Sequence, residues 1–107
     1  MFGFLRKKAI KVVAVNLYQE LLFDQIRGEK FFGRTSEEIC TSTGLNIVAV
    51  FGMMNCMIHA GLVEEIDDGT LSYRAINIPS SIRTATSNQE LFAYSRQVVN
   101  QVDFTGV

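Results

Sequence analysis

The sequence predicts a mainly α domain with one small β-hairpin, an α+β fold built as a single unit. Three observations predict it. Stretches near both ends of the chain repeat their apolar residues with helical spacing, two short helical runs in the middle are joined at a glycine, and two strand-like runs flank Asp67-Asp68-Gly69-Thr70. A length of 107 residues suits one domain, and 48% hydrophobic against 20% charged residues supplies a core and excludes wholesale disorder. One proline and eight glycines leave little room for a flexible linker, and no repeat or low-complexity tract is evident.

The first element spans residues 1–28. Residues 1–8 combine Phe2, Phe4 and Leu5 with Arg6, Lys7 and Lys8; a helix start with solvated cations is preferred here over a surface-membrane anchor. Over residues 9–27, Ile10, Ala14, Val15, Leu17, Tyr18, Leu21, Leu22 and Ile26 cover a wide arc of a helix, with Asn16, Glu20, Asp24 and Arg27 as a narrow polar stripe. Such a helix is buried on more than one side, and Gly28 can stop it. The segment is not a convincing signal peptide, because no small-residue cleavage site closes a long apolar run.

The central element spans residues 35–78. Thr35-Ser36-Glu37-Glu38 is a capping box opening a short helix with Ile39 and Cys40 inward. Gly44 suits the turn that ends it, Leu45 plugs the corner, and Asn46 caps a second helix over residues 47–60. Val50, Met53, Met54 and Met57 share one face of that helix and read as core; Val48, Phe51, Gly52, Asn55 and His59 fall on the other. Residues 62–66 and 71–76 read as strands, joined by a turn in which Asp-Gly supplies positive φ. Residues 79–86 read as a loop. A second capping box, Ser87 to Glu90, opens a helix over residues 87–103. Leu91, Phe92, Ser95, Val98, Val99 and Val102 line its apolar side; Gln89, Arg96, Gln97, Asn100 and Gln101 line the other.

The capped short helix, the Thr43-Gly44-Leu45 turn, the run His59-Ala60-Gly61-Leu62-Val63-Glu64 and the Asp-Gly hairpin together resemble a winged helix-turn-helix domain. With flanking N- and C-terminal helices, the chain is similar to small dimeric regulators of the MarR or PadR kind. The pattern covers about two-fifths of the chain, residues 35–78. The resemblance implies a DNA-binding transcriptional regulator in the cytoplasm, its second helix in the major groove and its wing on the backbone. Carried over by position, the reading face is Asn46, Ile47, Val48, Phe51, Gly52, Asn55 and His59, with Asp67 and Asp68 at the wing tip.

The charge map departs from that pattern. Net charge is +4 over residues 1–34, −6 over residues 35–73 and +1 over residues 74–107, and no lysine or arginine lies between Thr35 and Tyr73. DNA binding draws much of its strength from cations that neutralise phosphates. Phosphate contacts would come from Arg34, Arg74 and the cluster Arg6, Lys7, Lys8 and Lys11. The alternative is a protein–protein interaction module whose uncharged second helix binds a protein partner or forms the dimer interface. Here Ile47, Val48, Phe51 and Gly52 make an apolar patch. The stripe Leu91, Val98 and Val102 and the wide arc of the first helix motivate a homodimer built from the terminal helices.

Neither an enzyme nor a cofactor is expected. His59 is the one histidine, and no nucleophile motif or phosphate loop is present. Cys56 and His59 lie i, i+3 with Cys40 as a third candidate, a set short of the usual tetrahedral metal site. With two cysteines on predicted helices, a reducing compartment is expected. The charge-free run 39–63 is broken by polar residues and three glycines, so a buried helix is preferred over a membrane span.

Overall fold

The periodicity of the first element produces one continuous helix. In the computed structural model, which describes residues 2–28, 33–67, 71–85 and 87–107, with side chains from residue 9 onward, α1 runs Phe2–Arg27. Its apolar arc is buried: Ala14, Leu17, Tyr18, Leu21 and Leu22 are all within 1% of complete burial. After α1 come β1 (Arg34–Thr35), α2 (Ser36–Thr43), α3 (Ile47–His59), β2 (Val63–Asp67), β3 (Leu71–Ala75), α4 (Ser80–Arg83) and α5 (Asn88–Val99). The architecture is mainly helical with one three-stranded antiparallel sheet, ordered β1-β3-β2.

The hairpin pairs Val63 with Ala75 through to Asp67 with Leu71. Val63 of β2 and Tyr73 and Ala75 of β3 are buried in the core, and β3 packs against α1. The turn expected at Asp68-Gly69-Thr70 lies outside the described residues. β1 was not legible in the sequence. Its two residues pair with Tyr73 and Ser72 of β3, so β3 is the central strand. Gly33 makes this docking possible: its φ is +81°, and a Cβ there would sit 2.2 Å from the Tyr73 carbonyl oxygen.

α5 lies antiparallel along α1. The Gln19 amide donates to the Asn88 carbonyl at one end, while Lys11 and Val12 approach Arg96 and Asn100 toward the other. Tyr18 and Tyr94 meet between them, ring centroids 6.4 Å apart.

Several sequence expectations are corrected. The final helix ends at Val99 and not at residue 103; Asp103 then accepts from the Thr105 backbone N–H at 2.9 Å, a local turn that competes with helix. Val102 and Phe104 consequently fold inward from a non-helical tail. Of the stripe that motivated a homodimer, Leu91 and Val102 are buried within the chain and Val98 packs against its core, with Val99 beside them also buried. Phe92, placed on the same apolar side, is instead 37% exposed. At the second capping box Ser87 accepts from the Glu90 backbone N–H at 3.2 Å, but the Glu90 carboxylate receives the Ser87 hydroxyl and not a backbone N–H. One helical turn, α4, occupies the expected loop. Asp24, read as part of a narrow polar stripe, is 5% exposed.

Among the described residues no single helix is long and apolar enough to cross a membrane; α2 and α3 pass such a test only as a pair, and they are bent by 107°.

Candidate interaction surface

The geometry of α3 begins at the corner before it. Thr35 and Glu38 make both bonds of the capping box, the Glu38 N–H to Thr35 Oγ1 at 3.1 Å and the Thr35 N–H to Glu38 Oε1 at 3.0 Å. α2 ends on Gly44 in the left-handed region, its N–H donating to the Cys40 carbonyl. Thr43 Oγ1 donates to the Ile39 carbonyl at 2.6 Å and accepts from the Leu45 N–H at 3.2 Å, which fixes the turn. Asn46 then caps α3, its Oδ1 accepting the Ala49 N–H at 2.9 Å.

From this corner α3 sends Val50, Met53, Met54 and Met57 into the core, each completely buried. Its opposite face is open. Val48 is 76% exposed, Ile47 40% and Phe51 37%, with Asn55 and His59 exposed further along the same helix. Exposed large apolar side chains clustered on one helix face are unusual for a surface that meets only water.

Next to that face lies a groove of about 560 Å³. Ile10 and Val13 of α1 form one wall and Leu45, Val48 and Ala49 the other, with Val107 at the end. Among the described residues no charged side chain lines it. A Cβ at Gly52 would meet the Val107 methyls at 3.5 Å, ordinary contact distance, so the position tolerates a small side chain. The groove was missed by sequence reasoning because its α1 wall and its C-terminal end are distant in the chain.

The cations assigned to phosphate contacts are differently placed. Arg34 forks onto Asp24, Nε to Oδ2 at 2.7 Å and Nη2 to Oδ1 at 3.3 Å, and reaches Glu20 with Nη1 at 2.7 Å. The Asp24 hydrogen bond raises the Arg34 pKa above its ordinary value. This guanidinium ties the end of α1 to β1 and is 21% exposed, so it is committed within the chain. Arg74 is likewise paired with Glu64, its direct neighbour across the hairpin. Lys11 lines a separate groove on the α1–α5 side, and the side chains of Arg6, Lys7 and Lys8 lie outside the described residues. Asn46, on the expected reading face, has its side-chain carbonyl oxygen engaged in the helix cap.

Cys40 and Cys56 are both free and half-buried. Burial, with Asp103 nearby, pushes the Cys56 thiol pKa up, which disfavours the nucleophilic thiolate. Among the described residues no three His, Cys, Asp or Glu side chains are grouped to hold a metal ion.

The chain was compared with protein-family models, curated proteins and solved structures, and none matches it.

Proposed function

We propose that this chain is a winged-helix domain used as a protein-interaction module, with the outer face of α3 as its docking surface. The element order α1-β1-α2-α3-β2-β3, a short β1 on the far side of β3 and a 107° bend between α2 and α3 support the winged-helix reading. The observation that carries the interaction reading is the exposure of Val48, Ile47 and Phe51 beside a groove that no charged side chain among the described residues lines. A helix inserted into a DNA groove needs cations at its flanks. The flanking arginines, Arg34 and Arg74, are instead paired with acids of this chain.

The partner is an apolar protein surface, a second copy of the chain included. A photocrosslinking amino acid at position 48 should give one discrete protein adduct in cells, and the same group at exposed Gln97 should not. Light scattering separates the two kinds of partner. A dimer that Val48→Glu dissociates means self-association through α3, and a monomer means a foreign protein.

DNA-binding regulation is the second reading, favoured by the same element order. It predicts binding to random duplex that weakens steeply with salt and is lost in a Lys7→Glu, Lys8→Glu variant. Duplex binding at low salt that Val48→Glu abolishes would overturn the interaction reading.

A further inference from the structure

A second groove lies on the outer side of the α1–α5 seam, away from the α3 face, with a volume of about 290 Å³. Its apolar lining is Val12, Val15 and Phe92, and its polar lining comes from Lys11 and Asn16 on α1 and Arg96 and Asn100 on α5. Val12 is 58% exposed and Phe92 37%, so the hydrocarbon of the groove is open to solvent. The Arg96 guanidinium lies over the Phe92 ring at 5.8 Å. Among the described residues no carboxylate lines the groove, and neither Lys11 nor Arg96 has an anionic partner. The side-chain amides of Asn16 and Asn100 are also without hydrogen bonds to described residues.

Two unpaired cations and two free amides around an exposed apolar lining define the complement: one anionic head and one hydrocarbon body. We infer that this groove binds a small organic carboxylate with an alkyl body. Arg96 offers a planar fork suited to a carboxylate, and Lys11 a point charge from the facing helix. The apolar lining would hold the chain. The size falls at the lower end of ligand sites, which run from about 300 to 1,000 Å³, and so suits a small molecule. A phosphodiester backbone would leave Val12 and Phe92 uncovered. A two-fold copy packed on this seam would bring Lys11 and Arg96 toward their own duplicates, a like-charge contact.

The test uses the full chain and octanoate as probe, followed by calorimetry and backbone amide NMR. Octanoate should saturate a single site and shift the amides of Val12, Asn16, Phe92 and Arg96. Acetate, which lacks the body, and 1-octanol, which lacks the charge, should each bind about tenfold more weakly or worse. Lys11→Glu and Arg96→Glu should each weaken octanoate about tenfold or more. Arg96→Gln, a neutral change at an exposed site, guards against misfolding, which circular dichroism checks independently. Absence of saturable binding at millimolar octanoate overturns the inference. So does equal binding by acetate, unchanged affinity in the charge-reversed variants, or displacement of octanoate by duplex DNA at the same amides. Val48→Glu should leave octanoate binding unaltered, so this result stands or falls separately from the α3 docking surface.

Discussion

Replacing Arg34 with methionine, which keeps a long unbranched stem and removes the charge, tests whether this cation is structural. Asp24 is 5% exposed and takes two of the guanidinium bonds; Glu20, whose side chain is 49% exposed, takes the third. Removing one partner of a buried ion pair typically costs about 3–5 kcal/mol, because the other charge is stranded. Arg34 keeps 21% of its side-chain surface in water, which allows partial rescue by solvent, so the expected loss is about 3 kcal/mol at the low end of that range. The Glu20 bond adds no more than about 0.5 kcal/mol, as an exposed pair. Urea unfolding followed by far-ultraviolet circular dichroism measures the loss. Arg34→Met, Asp24→Asn and the double variant close a cycle whose coupling should be about 2 kcal/mol. A loss under about 1 kcal/mol with no coupling would refute the clamp and return Arg34 to the surface cations.

Three further outcomes follow from the structure. Gly33→Ala should destabilise the fold by more than about 2 kcal/mol in the same urea assay, since positive φ adds to a contact of 2.2 Å with the Tyr73 carbonyl, whereas Gly52→Ala should change stability little. Burial, reinforced by Tyr94, raises the Tyr18 phenol pKa above its ordinary 10.0, and burial with Glu65 raises that of Tyr73. Above pH 10 the unfolded chain therefore binds fewer protons than the folded one. The stability these phenols contribute is full below that pH and falls as pH rises toward their folded values. Unfolding midpoints between pH 8 and pH 11 should decline, and Tyr18→Phe should flatten the decline. That substitution should cost little at neutral pH, because the Tyr18 hydroxyl is buried without a hydrogen-bond partner among the described residues. In a Cys40→Ser background, iodoacetamide should alkylate Cys56 slowly, with a pH midpoint above the ordinary 9.0; rapid reaction at neutral pH would contradict its burial.

The middle of the chain was the most legible part, because its signals are local. The Thr35–Glu38 box, Gly44 at the turn and Asn46 at the cap each act within three or four residues, and each made the bond its chemistry suggests. The Met53, Met54 and Met57 face followed from helical spacing alone. What escaped depends on contacts between distant segments. β1 is two residues long and exists because Gly33 lets it reach β3, some forty residues away. Asp24 read only as part of a polar stripe, because nothing in its own helix announces that Arg34 will cover it. Phe92 looked like core because Leu91 beside it is core. The stripe of α5 is narrower than its apolar residues suggest, and the turn at Asp103 redirects Val102 and Phe104. The α3 face could be drawn from the sequence, but its exposure depends on which way the tail and α1 run, so the groove beside it could not.

Among the described residues the order β1-β3-β2 makes β2 an edge strand. An open strand is a template on which another chain can add itself, the usual route from a folded domain to an aggregate. β2 carries Glu64, Glu65 and Asp67 within five residues, and Glu65 and Asp67 are exposed. A second β2 laid alongside would bring these carboxylates into register with their own kind. The acids that make this hairpin poorly suited to a phosphate backbone are well placed to protect the chain from itself.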